Sequence, residues 1–317
     1  MSRIERFHAG TKISDWASGS ITANAGSIPT GAGYYGGGDT VIDVVDKFIF
    51  PGESNTTLTA VLSSGRSAGA GFANSGVAGY HLNGGVSGNV AVTTVDKFSY
   101  PDDTRTTLGT GTSEARTNIP ATFANSGTAG YIAGGHADAS AATDSVDKFA
   151  FPGDGRSTLS ATLSANTQYI CGFANSGTTG YTTGGYTGSN TATADKFTFS
   201  NDAKSTLGTG LSAARRLPAG MANSGTAGYT SGGYTNTRVD TVDKFAFSND
   251  SRSVLGTGLS SVRQSHAGMA DSGVAGYFGG DGRHDRFSFA DDSRSSATSL
   301  SDSRIYLAGW AHCEALS

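Results

Sequence analysis

Cysteine and proline are scarce in this chain, with two and 6 residues among 317. The cysteines, Cys171 and Cys313, belong to no CxxC or paired Cys/His spacing, so the common zinc arrangements are absent. Aligned on the internal repeat below, Cys171 stands just before the first strand of one unit. Cys313 stands just after that strand three units away, and both are expected as free thiols. The six histidines, His8, His81, His136, His266, His284 and His312, form no HxxxH or HExxH, so no metal and no cofactor is expected. No stretch is apolar for about 18 residues, and Met1–Trp16 has no apolar core of the signal-peptide kind. Neither secretion by that route nor membrane insertion is expected, and synthesis is assigned to the cytoplasm. No segment carries an apolar period of 3.6 over helical length. The 22 Lys+Arg and 26 Asp+Glu are well mixed, with a net charge of −4 and no basic stripe. Nucleic acid is therefore not an expected partner.

What is present is glycine, 47 residues, and a unit that recurs six times. Its clearest copy is Gly220–Leu259, GMANSGTAGYTSGGYTNTRVDTVDKFAFSNDSRSVLGTGL. The glycine–tyrosine pairs end on Tyr34, Tyr80, Tyr131, Tyr181, Tyr229 and Tyr277, spaced 46, 51, 50, 48 and 48 residues apart. A double glycine follows, then Asp-Lys-Phe at Phe48, Phe98, Phe149, Phe197, Phe245 and Phe287. A second aromatic comes two places on, and a leucine ten residues after the first Phe in five copies. A fixed period near about 50 residues signals stacked units and not separate domains. The aromatic pairs use 11 of the 16 phenylalanines. Their spacing of two puts each pair on one face of a strand, as core and not as a ligand cage.

Four strands can be read per unit. A is the GFANS or GMANS segment, B is AGYxxGG, C is VDKFxF, and D holds the LGTGL segment. Asn-Ser-Gly or Asp-Ser-Gly makes a tight A–B turn. A short turn carrying Asp103, Asp154, Asp202, Asp250 or Asp292 joins C to D. Up-and-down order puts these two turns on one rim and the B–C and D–A connections on the other. The B–C segments differ in length and content, so one rim is uniform and the other variable. The chain ends on Ala308-Gly309-Trp310-Ala311, which matches Ala267-Gly268-Met269-Ala270. The first unit lacks a clear strand A, so this terminal strand is expected to complete it. The expectation is an all-β, six-bladed β-propeller of four-stranded antiparallel blades, closed by the C-terminal strand, with residues 1–25 as an N-terminal tail and 26–317 as the propeller. A seventh, partial blade built from Ile4–Trp16 is the alternative.

The units resemble kelch repeats. An arginine before strand A (Arg215), a tyrosine leading into a double glycine (Tyr229, Gly232, Gly233) and the aspartate of strand C (Asp243) follow the kelch order. The likeness covers about residues 31–313. The kelch tryptophan after strand C is replaced by the series Leu58 to Leu255. The C–D turn also resembles the Asp box of sialidase-like propellers, its glycine mostly replaced by Arg or Lys, and is read as a folding turn. The near-verbatim copies look like kelch-like proteins of tailed phages.

An acid at one place in six units cannot be six active sites. Asp46, Asp96, Asp147, Asp195, Asp243 and Asp285 are read as structural, paired with Arg66, Arg116, Arg215, Arg263 and Arg304. Asn166-Thr167 stand where one arginine is due, and Asp147 is expected to find another partner or water. The double glycines, such as Gly84–Gly85, are read as close backbone approach and not as phosphate loops. The binding candidates are on the variable rim: His136, Tyr186, Tyr234, Arg238, Arg283 and His284. No catalytic residue is assigned. The expected role is a non-enzymatic structural or attachment protein of a phage virion, in tail fibre, baseplate or capsid decoration. Its expected partners are other virion proteins and a host-surface protein or glycan. A lectin-like propeller is the alternative. An enzyme would need the arginine triad, Tyr and acid of a sialidase, or the Tyr–Cys crosslink and His/Tyr copper set of a galactose-oxidase-type enzyme, and neither can be matched residue by residue.

Overall fold

The computed structural model describes residues 7–8, 11–12, 31–50, 52–88, 90–137 and 141–312. Among these the chain is all-β, without helix, and most of it forms repeated four-stranded antiparallel sheets of propeller-like kind. The fifth repeat sets the pattern with Ala219–Asn223, Ala227–Ser231, Val242–Ala246 and Arg252–Val254, each strand paired to the next. Sheets starting at Ala70, Ala121, Cys171 and Ala267 repeat it. The sheet of the first repeat takes its first strand from the far end of the chain. Ala308–His312 pairs with Ala32–Gly36, placing Trp310 opposite Tyr34. Six four-stranded sheets result, and Phe7–His8 and Thr11–Lys12 make a separate two-stranded pair.

Strand D is shorter than the sequence pattern suggests and ends before the LGTGL segment. In the second repeat it is Thr104–Thr107, mostly exposed. Leu108 already belongs to the connection, and its N–H donates to the Val95 carbonyl. The second leucine of that segment is the buried one, as at Leu62, Leu163, Leu211 and Leu259.

The core lies between sheets. Phe197 and Phe199 of one strand C pack on Phe123 and Tyr131 of the preceding sheet. The same contact joins Phe149 to Phe72 and Tyr80, Phe245 to Phe173 and Tyr181, and Phe287 to Met221 and Tyr229. Phe98 packs on Tyr34 and Trp310, and Phe48 and Phe50 pack on Met269 and Tyr277. The same aromatic contact thus recurs between one sheet and another throughout the described repeats. This packing explains the invariant glycine before each tyrosine. A methyl group on Gly180 would overlap the Phe123 ring, and one on Gly228 the Phe173 ring. The strand can lie against its neighbour's aromatic only without a Cβ.

Two further sets of bonds link neighbours. The residue shortly before strand A is left-handed in every repeat: Ala68, Ile119, Tyr169, Leu217, Ser265 and Tyr306. The Ala68 N–H donates to the Tyr306 carbonyl, Tyr306 to Ser265, Ser265 to Leu217, Leu217 to Tyr169, Tyr169 to Asn118, and Ile119 to Ala68. These backbone bonds are 2.7 to 3.1 Å long. On the opposite end of the sheets, the turn residue after strand C is also left-handed. Its carboxylate takes the lysine and the tyrosine of the preceding sheet. Lys47, Lys97, Lys148, Lys196 and Lys244 reach Asp103, Asp154, Asp202, Asp250 and Asp292 at 2.6 to 2.7 Å. Tyr34, Tyr80, Tyr131, Tyr181 and Tyr229 donate to the same five carboxylates. The folding turn read from sequence is thus also a latch between sheets.

Candidate binding face

The six repeated aspartates are at most 2% exposed, and the repeated arginines are equally buried. Each pair ties the connection leading into a sheet to strand C of that sheet: Arg66–Asp96, Arg116–Asp147 at 3.2 Å, Arg215–Asp243 at 2.8 Å, Arg263–Asp285, and Arg304–Asp46 at 2.9 Å. Burial lowers the pKa of all five guanidiniums, and in four of the five the facing aspartate raises it in part. A serine N–H completes each site, Ser63 to Asp96, Ser212 to Asp243 and Ser301 to Asp46 among them. The expectation for Asp147 is corrected. It pairs with Arg116, because each arginine reaches into the following sheet. The carboxylate that faces Thr167 is Asp195, held by Ser164, Thr206 and Lys204, whose Nζ is 3.7 Å away.

The double glycines do meet backbone closely. Gly135, Gly185 and Gly233 donate to the carbonyls of Thr167, Arg215 and Arg263 in the next connection. In the second repeat Asn83, left-handed at φ 57°, takes the place of the first glycine. Its amide reaches Thr112, which stands where other repeats have the buried leucine.

The B–C loops and D–A connections share one end of the sheets and are tied together there. Gln168 bridges to Tyr186 and Arg216 to Tyr234. Along two neighbouring repeats this produces a cluster without a counterpart among the described residues of the others. The Arg216 guanidinium lies 5.1 Å from the Tyr186 ring centroid and 4.8 Å from that of Tyr234, within cation–π range of both. Tyr186, Arg216 and Tyr234 are all half-buried. The Asn190 amide donates to the Tyr234 carbonyl at 3.1 Å and to that of Thr235, joining the two loops. Tyr169 stands beside them, its pKa raised by burial and by nearby Tyr306 and lowered in part by Arg216. A separate cavity of about 100 Å³ is lined by residues at the start of strand A in all six sheets, among them Ala70, Pro120, Cys171, Pro218, His266 and Leu307.

The remaining rim candidates lie elsewhere. Arg238 is exposed and 3.5 Å from Asp281. Arg283 is exposed, and His136 is half-buried in a short strand opposite Thr117. His284 is a correction. It is 3% exposed, bonded to the Tyr35 hydroxyl and the Thr298 carbonyl, and cannot reach a partner. Burial lowers its pKa to about 4, so the ring is neutral. The shortened B–C loop starts strand C early, at Arg283, and carries His284 into the sheet.

Arg216 was not among the sequence candidates, since it follows the repeated Arg215 and only the fold stacks it on two tyrosines. Among the described residues no group of three or more His, Cys, Asp or Glu could hold a metal ion. Cys171 is buried and free. Cys313 and Trp16 lie outside the described residues. Compared with known proteins, the chain matches no family model and no curated protein.

Proposed function

We propose that the six sheets close into a six-bladed β-propeller of the kelch kind that works, without catalysis, as a structural and attachment module of a phage virion. The sixth junction carries the closure. Arg304 and Ser301 meet Asp46, and Arg286 and Tyr277 meet Glu53, repeating the contacts of the other junctions. Such a ring leaves no inner sheet edge open and makes a rigid disc. The virion assignment is supported by the near-verbatim repeats and their likeness to kelch-like phage proteins. The partners are other virion proteins on the uniform end and a host-surface molecule on the end bearing Tyr186, Arg216 and Tyr234. A lectin-like role is the second reading, favoured by that same aromatic and cationic cluster.

Two measurements test this. Class averages of the isolated protein by electron microscopy should show six lobes around a centre, and an open arc or seven lobes removes the closed ring. Mass spectrometry of purified phage particles should find the chain in stoichiometric amount, and its absence removes the virion assignment.

A further inference from the structure

We infer that Arg216, within cation–π distance of both Tyr186 and Tyr234, is the anion-binding centre of a site for an acidic saccharide, a sugar chain with one carboxylate on the recognised residue. The inference rests on the reading of this end of the molecule as the attaching one and narrows it to a ligand class.

Three observations carry it. First, every other buried or half-buried arginine among the described residues has a carboxylate within ion-pair distance, from Arg66 to Arg304. Arg216 has two aromatic rings instead, and none of its nitrogens is shut off from solvent without a partner. A guanidinium whose carbon lies over aromatic rings still offers the N–H donors in its plane. That is the fork that receives a carboxylate in two parallel hydrogen bonds. Second, the site is formed before any ligand arrives. The bridges Gln168–Tyr186 and Arg216–Tyr234, with the Asn190 amide across the loops, fix the tyrosines. Little ordering is left for binding to impose.

Third, the surroundings select among anions. The groups shown beside Arg216 are uncharged hydrogen-bonding ones: Tyr169, Tyr186 and Tyr234, with the Asn190 amide on the Tyr234 carbonyl. Two other cations are engaged, Arg238 with Asp281 and Arg215 with Asp243. One free charge among uncharged hydrogen-bonding groups suits a sugar with a single carboxylate. Nucleic acid and other polyanions need several cations in line, and the chain is −4 overall.

The test uses the full chain with uronic-acid and sialic-acid oligosaccharides, their carboxyl-reduced counterparts, and an acidic peptide, by calorimetry. The expected result is binding to an acidic oligosaccharide, at least about tenfold weaker for its reduced counterpart and for the peptide. Arg216→Gln should lower affinity about tenfold or more, with Arg216→Lys between the two and the thermal midpoints unchanged. No binding to any acidic sugar, equal binding by Arg216→Gln, or equal binding of the peptide overturns the inference. Adsorption of labelled protein to host cells separates the two proposals. If wild type and Arg216→Gln adsorb alike, attachment stands and this site falls. If neither adsorbs, the attachment reading falls with it.

Discussion

Arg286 Nε lies 2.9 Å from the Glu53 carboxylate, at the one junction where arginine and glutamate replace the lysine and aspartate of the other five. Both side chains are under one third exposed, and Tyr277 donates to the same carboxylate at 3.3 Å. Glu53→Lys puts two cations together and removes the tyrosine's acceptor. We expect a loss of about 1–2 kcal/mol in unfolding free energy, read from denaturant titration. The double variant Glu53→Lys with Arg286→Glu should regain most of it, and the thermodynamic cycle gives the coupling. Glu53→Asp with Arg286→Lys rebuilds the common pair and should stay within about 0.5 kcal/mol of wild type. Strict additivity of the two reversals would show that the pair does not join the first and sixth sheets.

Arg215→Ala tests the buried pairs. Asp243 is fully buried, and its Oδ1 already lacks a hydrogen-bond partner. Removing the guanidinium leaves this buried carboxylate only the partly exposed Arg252, 3.7 Å from Oδ1, as a cation, which costs about 3 kcal/mol. The check is the urea midpoint, and an unchanged midpoint excludes a stabilising pair at this place.

Acid should weaken the fold through its histidines. Burial holds His284 at about 4, and burial with Arg66 nearby holds His81 at about 3. Burial with Arg263 and Arg215 nearby holds His266 well below the ordinary value. Each is neutral when folded and takes a proton near pH 6.5 when unfolded. The unfolded chain then binds more protons, so stability is full above about pH 6.5 and declines as pH falls toward 4. Each histidine adds a slope of about 1.4 kcal/mol per pH unit inside that window. Asp271, its pKa raised by burial, acts in the opposite sense with one proton. Unfolding free energy measured from pH 7 to 4.5 should therefore drop, and His284→Gln should flatten the curve. A profile that stays level rules out neutral buried imidazoles.

How much of this could be read in advance follows from the reach of each interaction. Aromatic pairs two apart and a terminal strand resembling Ala267–Ala270 are local patterns, so strand C and the joining of the terminal strand to the first unit were legible. Strand D was misplaced because Thr104–Thr107 carries no apolar alternation, while the leucine after it draws the eye. The lysine latch was missed because its ends are 48 to 57 residues apart. Yet the joint departure to Arg286 and Glu53 was a visible clue that these positions meet. Burial of His284 depended on a loop only slightly shorter than the others, a difference that composition does not price.

Thr167 offers the last test, because it stands where the other junctions place a buried arginine. Its carbonyl accepts from Gly135 as the arginine carbonyls do in the neighbouring repeats, so the backbone is already in place. Asp195 is 2% exposed, and its nearest cation is the partly exposed Lys204 at 3.7 Å. An arginine at 167 gives that carboxylate a buried partner at the cost of desolvating one guanidinium. We expect Thr167→Arg to raise unfolding free energy by about 1 kcal/mol, since the acid's own burial is already part of the fold. Neutralising the acids should separate the junctions further. Asp243→Asn strands Arg215 and should cost about 3–5 kcal/mol, whereas after Asp195→Asn Lys204 can turn to solvent, for about 1 kcal/mol. Equal losses at the two positions, measured by thermal and urea unfolding, would show that the missing arginine makes no difference to its carboxylate.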